Sequence, residues 1–368
     1  MRGESKPNLN IALATIGSHG DLMPFRWLAL ALSQLGASVR ILSHPDFASS
    51  FEIDGVAFVP TGPKLEWAHL DSLRERLATT RNPVAMSRLV VREVTLSSPQ
   101  RHYADCLQGI ADCDALVSHH LYFAAQEAAE TRGIPWASVV LMPSMIESDQ
   151  HPPTHYVPFP GSRVANRLWW RISKAMVASA SREIRDTLKS LSGRTRAVSF
   201  FDGFSSTLNL LAASSAGSSL PRGMEGFETT GAWLPPAGDP DRLPAEVKRF
   251  LASGSPPILV SLGSAGYRAA GETMYTVLDA IRSVGCRALI YAAPESELLD
   301  TRTDHQAKFI GFVPYQHLLS EVSAVVHHGG AGTTALTCRS GRPSVLIPHF
   351  ADHFYWSHAM VVRDAAAP

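Results

Sequence analysis

The feature that most constrains this chain is the alternation of short apolar runs with amphipathic helical stretches. Five runs in the first half are typical of strands: IALATI, SVRILS, VAFVP, DALVS and WASVV. Helical patterns stand between several of them, and one long helical stretch is predicted over 163–192. Strands that alternate with helices form a parallel sheet covered on both faces. The sequence therefore predicts an α/β fold built on a doubly wound sheet.

The same alternation restarts after a segment rich in glycine and proline that follows residue 220. Strand-like runs then include PPILVS, CRALIYAA, AKFIGFV, SAVVHH and SVLIP, with helices predicted over 271–284 and from about Thr333. A chain of 368 residues is long enough for two globular cores. We therefore predict two Rossmann-like domains, 1–220 and 221–368.

Charge and cysteine content argue against several classes of protein. The 33 basic residues balance 33 acidic ones, which gives no electrostatic reason to expect a nucleic acid as partner. The 4 cysteines are scattered without a CxxC pair, so neither a disulfide framework nor a structural metal is indicated. No apolar run reaches the roughly 18 residues that a membrane span needs. We expect a soluble cytoplasmic protein, a monomer or homodimer, whose partners are small molecules.

A glycine-rich loop in the second half is the strongest candidate for a ligand site. The stretch SAVVHHGGAGTT, 323–334, runs from a strand through Gly330 and Gly332 into a helix. Small residues let the backbone approach a ligand, and the N–H groups of a helix start favour an anion such as a diphosphate. His328 can donate an imidazole N–H to the same group. Thr333 can cap the helix and donate its hydroxyl.

A second loop, SLGSAG at 261–266, follows the first strand of the same half. Gly263 and Ser264 are therefore expected at the same edge of the sheet, where they can reach the diphosphate from its other side. Taken alone, either loop can also be no more than a tight strand-to-helix connection. No Walker GxxxxGK[ST] is present, and no GxGxxG follows the first strand of either half, which argues against a P-loop and a dinucleotide site.

Three stretches together resemble the family 1 nucleotide-sugar-dependent glycosyltransferases, which include bacterial natural-product, rhamnosyl and sterol glycosyltransferases. The stretches are IALATIGSHGDLMPF, FVPYQHLL and HHGGAGTTALTCRSGRPSVLIPHFADHFYW, and they lie in both halves. The resemblance implies the GT-B fold, in which two Rossmann-like domains face a central cleft. It also implies that 1–220 binds the acceptor and that 221–368 binds a UDP- or dTDP-sugar as co-substrate, with no other cofactor.

The resemblance assigns donor contacts residue by residue. Val313 would lie beside the nucleoside, with its main-chain atoms reading the pyrimidine. His328 and the loop that contains Gly330, Gly332 and Thr333 would hold the diphosphate. The leaving diphosphate is stabilised by such N–H donors, so no metal is obligatory.

Asp352 and His353 stand where the family usually has Asp-Gln, whose side chains bind hydroxyls of the donated sugar. His353 is thus a departure from the family pattern and bears on which sugar is used. From the residues themselves, ADHFYW combines an acceptor and a mixed donor with aromatic rings, which suits a sugar. Asp352 can also be a helix N-cap.

The stretch GSHGD, 17–21, lies at the carboxyl edge of the first strand and carries the candidate general bases. Transfer to an alcohol needs a base for the acceptor proton, and His19 has a suitable pKa and is the first choice. Members of the resembled family use either a His at the position of His19, oriented by a later Asp, or an Asp at the position of Asp21. Asp21 is then the base or the charge that tunes His19. Alternatively, Asp21 only caps a helix from Leu22, and His19 is structural.

The region where the orienting Asp of the family would lie reads DALVSHHLYF. It offers Ser118, His119 and His120 instead of an acid, so the usual dyad is broken. We interpret His119 and His120 as lining or structural residues.

The acceptor is expected to meet an apolar pocket of the first domain. The candidates are aromatic and apolar residues of that half, which can alternatively belong to the core: Trp67, Tyr122, Phe123 and Met142. The resemblance implies a hydrophobic natural product or lipid as the acceptor.

The leading hypothesis is an inverting, metal-independent hexosyltransferase of natural-product or antibiotic biosynthesis. The rival hypotheses are a catalytically degenerate sugar-nucleotide-binding or auxiliary protein and, more weakly, an epimerase of the same fold. The sequence ends at VVRDAAAP, soon after the donor stretch, where relatives continue into a helix that crosses back to the first domain. If nothing follows, we expect weak coupling of the two halves and low activity.

Overall fold

The structure is a computed structural model that describes residues 9–64, 72–73, 76–77, 79–80, 82–153, 162–214, 226–263, 271–292, 306–349 and 352–367. The chain divides into two compact units, with the main division between Trp233 and Leu234. The domain boundary predicted near residue 220 falls within 215–225, outside the described residues, and stays a prediction.

The first unit contains a sheet of 7 parallel strands. In chain order they are β1 (Asn10–Ala14), β2 (Ser38–Ser43), β3 (Val56–Pro60), β4 (Ala115–His119), β5 (Trp136–Val140), β6 (Leu208–Leu211) and β7 (Phe227–Thr229). In space the order is β3-β2-β1-β4-β5-β6-β7. The chain winds from β1 to one edge and then from β4 to the other, which confirms the predicted doubly wound sheet.

Helices stand between the strands of the first unit. They are α1 (His19–Gln34), α2 (Pro83–Val90), α3 (Pro99–Gly109), α4 (Phe123–Arg132), α5 (Arg163–Met176) and α6 (Ala178–Ser192). A π-helical turn, Val91–Thr95, follows α2, and 3-10 turns occupy Pro45–Phe51 and Pro143–Met145. The single helix predicted over 163–192 is wrong, because the backbone of Val177, with φ −92° and ψ 7°, ends α5 before α6 begins.

Helix α5 buries a different face from the one that its leucine and isoleucine indicate. Leu168 and Ile172 are 55% and 36% exposed, whereas Trp170 is fully buried. The indole N–H of Trp170 donates to the His151 carbonyl oxygen at 2.9 Å, and its ring meets Phe201 edge-on at 5.3 Å between centroids. The tryptophan sets the rotation of the helix because a large aromatic ring gains most from burial when its N–H has a partner.

The second unit repeats this architecture with 6 parallel strands. They are β8 (Ile258–Ser261), β9 (Ala288–Tyr291), β10 (Ala307–Ile310), β11 (Ala324–His327), β12 (Ser344–Leu346) and β13 (Ala366–Ala367), in the spatial order β10-β9-β8-β11-β12-β13. The helices are α7 (Ala245–Ala252), α8 (Gly271–Val284), α9 (Tyr315–Leu318), α10 (Ala331–Ser340) and α11 (His353–Val361), with a 3-10 turn at Pro240–Arg242. The predicted helix over 271–284 is confirmed.

Both faces of each sheet are buried, as parallel sheets require. In β1, Ala12 and Ala14 join one core cluster and Leu13 joins another. In β8, Leu259 and Val260 likewise belong to separate clusters. Since the strand interiors are occupied by packing, ligand chemistry is left to the strand ends. None of the helices in the described part of the chain combines the length and apolar character needed to cross a membrane.

A buried hydrogen-bond network joins the carboxyl end of β3 to α3 and α4. Tyr122, directly before α4, donates its hydroxyl to Thr61 Oγ1 at 2.7 Å. The hydroxyl oxygen of Tyr122 also lies 2.8 Å from His102 Nδ1. Because the hydroxyl has one proton, which goes to Thr61, the Nδ1–H of His102 donates to the tyrosine oxygen. All three side chains are 1% exposed or less. Tyr122 therefore connects Thr61 and His102 through buried hydrogen bonds in the first unit.

We predict that Tyr122→Phe lowers the free energy of unfolding by about 2 kcal/mol, because the buried groups of Thr61 and His102 each lose a partner. Tyr103→Phe is the matched control, since its hydroxyl bond to Thr131 Oγ1 is exposed, and its effect is expected to stay within about 0.5 kcal/mol. Urea unfolding followed by circular dichroism measures both. Equal stability of the two variants would contradict the structural role of Tyr122.

Candidate catalytic and diphosphate sites

The first candidate site lies where the strand order of the first sheet reverses. Strands β1 and β4 are parallel neighbours there, with Ala14 paired to Ser118. The connection from β1 leads into α1, while β4 ends at His119. In doubly wound sheets, ligands bind beyond the carboxyl ends of the strands at this switch point. The predicted GSHGD stretch is therefore placed beside the end of β4.

Asp21 is held by the turn that opens α1. Its Oδ2 accepts the Ser18 backbone N–H at 2.7 Å and the Ser18 hydroxyl at 2.8 Å. The Thr15 hydroxyl donates to the Asp21 carbonyl oxygen at 3.0 Å. Gly17 has φ +119°, and a Cβ there would lie 2.5 Å from Asp21 Oδ2, so only glycine fits the turn. These contacts fix the carboxylate against the backbone.

The alternative in which Asp21 caps a helix from Leu22 is wrong. Helix α1 begins at His19, Ser18 is its N-cap, and Asp21 is the third helical residue in a capping box. In the capping box, Oδ2 of Asp21 accepts both hydrogen bonds from Ser18. The other oxygen of the carboxylate is not needed for capping.

That other oxygen faces a buried histidine at the end of β4. Asp21 Oδ1 lies 3.7 Å from Nε2 of His119, and the two side chains are 24% and 2% exposed, respectively. Burial raises the pKa of Asp21, an effect that the Ser18 hydrogen bonds and His120 oppose. Burial lowers the pKa of His119 to about 3 and that of His120 well below its ordinary value. Both imidazoles are therefore neutral near neutral pH.

His19 is the first residue of α1, and its side chain is exposed. Partial desolvation nevertheless lowers the pKa of its imidazole. Ser118 is fully buried, and its hydroxyl donates to the His119 carbonyl oxygen at 3.1 Å. Of the residues that replace the orienting Asp of the family, His119 is thus the one whose ring nitrogen lies 3.7 Å from a carboxylate oxygen of Asp21.

The second candidate site occupies the matching switch point of the second sheet. Strands β8 and β11 are parallel neighbours, with Ser261 paired to His327. Beyond that pair, the backbone N–H of His328 donates to the Ser261 carbonyl oxygen at 3.3 Å, and its Nδ1 lies 3.2 Å from the same oxygen. A carbonyl only accepts, so Nδ1 of His328 carries a proton.

The imidazole of His328 packs against two glycines. A Cβ on Gly263, which has φ +77°, would lie 2.9 Å from the ring, and a Cβ on Gly330 would lie 2.5 Å from Nε2. The ring of His353 meets His328 at 4.7 Å between centroids and an interplanar angle of 71°. The glycines of both predicted loops are thus brought together around one histidine, and neither position has room for a larger residue without movement of that ring.

Helix α10 begins directly after Gly330. Gly330 is its N-cap, and the Thr334 backbone N–H donates to the Gly330 carbonyl oxygen at 2.9 Å as the first helical bond. The backbone N–H groups of 331–333 therefore have no intrahelical acceptor. The prediction that Thr333 caps the helix is wrong, since Thr333 is the third helical residue. A Cβ on Gly332 would meet nothing within 4 Å, so this helix start is open.

The remaining predicted donor residues are largely buried. Val313 follows β10 and is 3% exposed. Asp352 is the N-cap residue of α11 and is 8% exposed, but its side chain makes no capping bond, and its Oδ2 accepts the indole N–H of Trp356 at 3.0 Å. His353 is 6% exposed, and its Nδ1 accepts the His349 backbone N–H at 3.4 Å. Their contacts with a nucleoside and a sugar stay predictions.

The predicted acceptor residues do not share one environment. Tyr122 and Phe123 are fully buried, as core residues are, and Met142 is half-buried just after β5. Trp67 and the donor-loop residue Ser264 lie outside the described residues. The acceptor roles stay predictions. Within the described part of the chain, no three His, Cys, Asp or Glu side chains form a group able to hold a metal ion.

Comparison with known proteins shows which proteins this chain is similar to. Residues 276–366 match the family described as erythromycin biosynthesis protein CIII-like, C-terminal domain. The chain is 29% identical over 355 residues to a vancomycin aglycone glucosyltransferase from Amycolatopsis orientalis, covering 95% of this chain and 83% of that protein. A dTDP-epi-vancosaminyltransferase from the same organism is 27% identical over 348 residues, covering 94% and 80%. These matches confirm the resemblance of the chain to the family 1 glycosyltransferases.

Solved glycosyltransferase structures share the fold of this glycosyltransferase. The glycotransferase of kitacinnamycin superposes with a TM-score of 0.70 at 18% identity, covering 97% of this chain and 85% of that one. VinC in complex with dTDP gives a TM-score of 0.67 at 20% identity, covering 97% and 86%. At these identities the similarity concerns the fold alone, and it confirms the predicted GT-B class.

The packing of His328 in this glycosyltransferase predicts unequal costs for two glycine substitutions. Gly263→Ala and Gly285→Ala both place a side chain at a positive φ, +77° and +69°, but only Gly263 has the His328 ring at contact distance. We expect Gly285→Ala to lower the free energy of unfolding by about 1 kcal/mol. Gly263→Ala should cost about 1–3 kcal/mol more, because crowding is added to strain. Thermal or urea unfolding measures the difference, and equal costs would refute the packing argument.

Proposed function

We propose that this enzyme transfers a hexose or deoxyhexose, with inversion, from a UDP- or dTDP-sugar to a hydroxyl of a hydrophobic small molecule. The observation that carries the proposal is the open start of α10 beside His328, at the switch point of the second sheet. A helix start with unpaired N–H groups is a site for a phosphate group. Named relatives include a dTDP-epi-vancosaminyltransferase, which supports a nucleotide-linked sugar as the donor.

In the proposed complex, the backbone N–H groups of 331–333 bind the diphosphate. Gly332 has no side chain and so allows close approach of the diphosphate. The hydroxyl of Thr333 adds a hydrogen-bond donor. The negative charge that grows on the diphosphate as its bond to the sugar breaks is stabilised by these fixed dipoles. The scheme requires no metal ion for that reason.

His328 adds a conditional donor to this site. Its Nδ1–H is directed to the Ser261 carbonyl oxygen, so in the neutral ring Nε2 is a proton acceptor. It can donate from Nε2 to a phosphate oxygen only as the imidazolium ion. Desolvation lowers the pKa of His328 in the free protein, and a bound dianion would raise it. Diphosphate affinity through His328 is therefore expected to be greater at lower pH.

In the first unit, Asp21 serves as the general base. The acceptor hydroxyl loses its proton to the carboxylate while its oxygen forms a bond to the anomeric carbon. The bond from that carbon to the diphosphate oxygen breaks, and the electron pair leaves with the nucleoside diphosphate. One displacement of this kind inverts the anomeric centre. The burial that raises the pKa of Asp21 makes the carboxylate a stronger base.

Asp21 is favoured over His19 by its contacts. Oδ2 of Asp21 is hydrogen-bonded by Ser18, and Oδ1 faces His119 at 3.7 Å. The pKa of His19 is lowered by desolvation, which weakens it as a base.

Relatives named for a vancomycin aglycone and for sterols support a hydrophobic acceptor.

The donor site is tested by a methyl group at Gly332. Gly332→Ala meets no protein atom within 4 Å and stands in the first turn of α10, so it should raise the free energy of unfolding by up to about 1 kcal/mol. The methyl group would nevertheless obstruct the diphosphate, and we expect dTDP and UDP affinity to fall about 10-fold or more. Calorimetry measures binding, with NAD and ADP as comparison ligands. Unchanged affinity in a stable variant would refute this donor site.

The base is tested by an amide substitution at each candidate, which is isosteric at Asp21. Asp21→Asn keeps an oxygen for Ser18 but cannot accept a proton, so kcat should fall about 10²–10⁴-fold with nucleotide affinity unchanged. His19→Asn should reduce kcat by less than about 10-fold if Asp21 is the base. Single-turnover transfer to a glycopeptide aglycone from a dTDP- or UDP-sugar measures both. The reverse ranking would assign the role to His19.

A further inference from the structure

The carboxyl end of β4 holds a buried histidine whose proton position can be assigned. His119 is 2% exposed, and its Nδ1 accepts the backbone N–H of Leu121 at 3.3 Å. A ring nitrogen that accepts a hydrogen bond carries no proton, so the proton of the neutral imidazole is on Nε2. The Leu121 amide thus selects the Nε2–H tautomer.

This N–H is directed towards the carboxylate of Asp21. Nε2 of His119 is buried, makes no hydrogen bond within the described residues, and lies 3.7 Å from Asp21 Oδ1. A separation of 3.7 Å is longer than a hydrogen bond. Hydrogen bonds of catalytic groups are often this loose before substrate binds and then tighten. The two oxygens of Asp21 are divided between two neighbours, Oδ2 to Ser18 and Oδ1 to His119.

Exposure decides which member of the pair can meet a substrate. The Asp21 side chain is 24% exposed and that of His119 is 2% exposed. The carboxylate is accessible, whereas the imidazole is enclosed. The expected family arrangement, a reactive histidine oriented by an acid from the strand end, is therefore inverted here, with a reactive acid on α1 and a histidine on β4.

We propose that His119 is a positioning residue for Asp21. Its Nε2–H holds Oδ1 while Ser18 holds Oδ2, and the remaining lone pair of the carboxylate is presented to the acceptor hydroxyl. This inference rests on the proposed role of Asp21 as the base. It explains how the enzyme keeps an oriented base although no acid follows β4.

The charges around the pair are consistent with this role. Among the described residues, the titratable groups shown to act on Asp21 are His119 and His120 at the end of β4. His19 stands on the same helix as Asp21. Burial keeps His119 and His120 neutral. His119 therefore donates a hydrogen bond without taking up the acceptor's proton, which stays on Asp21 until the product leaves.

The test compares His119→Leu, which removes the N–H, with His119→Gln, whose amide N–H can replace it. His102→Leu is the control, since His102 is another buried histidine of this unit, 1% exposed, that is bonded to Tyr122 and not to Asp21. Loss of the donor destabilises the carboxylate and raises the pKa of Asp21, so the acid limb of kcat/KM should move up by about 1 pH unit in His119→Leu. We also expect kcat to fall about 10–100-fold at unchanged donor KM.

The glutamine variant should restore the acid limb to within about 0.3 pH units of the wild type, and His102→Leu should not move it. A purely structural role of His119 would lower stability in both leucine variants without a shift of the limb. That result, with kcat within a factor of about two of the wild type, would overturn the proposal.

Two measurements do not depend on turnover. Carboxyl ¹³C titration should give a higher Asp21 pKa in His119→Leu than in the wild-type enzyme, and long-range ¹H–¹⁵N spectra should report the Nε2–H tautomer of His119. A proton on Nδ1 would overturn the proposal even if the leucine variant did not fold. If Asp21→Asn retained full turnover while the titration showed the expected shift, the proposed base would be wrong and the pairing of Asp21 with His119 would stand.

Discussion

The structure depends on one constraint of parallel sheets, which is that the chain must leave the carboxyl end of each strand and return at the other end. Where the strand order reverses, adjacent connections depart to opposite sides and leave the strand ends uncovered. This happens between β1 and β4 in the first unit and between β8 and β11 in the second. The candidate base and the candidate diphosphate site each occupy one of these positions, because the strand interiors are filled by the core on both faces.

At both positions the backbone supplies the first contacts and a histidine the second. In the first unit, the turn at Ser18 fixes one oxygen of Asp21, and His119 faces the other. In the second unit, the start of α10 leaves its N–H groups open, and His328 packs between Gly263 and Gly330. Backbone groups are held by the sheet and cannot relax, so they provide the preorganised dipoles on which charge stabilisation in an enzyme depends.

The many histidines of this chain do not all imply acid–base chemistry. Burial lowers the pKa of His102, His119 and His327 to about 3 in each case. These rings are neutral donors and acceptors near neutral pH, comparable to buried amides. His102 closes a structural network with Tyr122, whereas His119 faces an accessible carboxylate, and only the identity of the neighbour separates the two roles.

Much of the fold could be predicted from the pattern of the sequence. The alternation of apolar runs predicted both sheets, and the bounds of α8 agree with the pattern at both ends. The glycine loops around Gly263 and Gly330 were predicted to lie at the same edge of the sheet, and both glycines pack against His328 there. The side of α5 that is buried could not be predicted, because the Trp170 indole found a carbonyl partner at His151, which is distant in the sequence.

The sequence by itself determined that two doubly wound sheets form and that small residues stand at the strand ends, since both follow from periodicity and side-chain size. Only the tertiary structure decided that Asp21 and His119 would be partners, because they are distant in the chain and meet through the pairing of β1 with β4. It likewise decided the start of α10 and the proton positions on His119 and His328, since each depends on hydrogen-bond partners that folding brings into place.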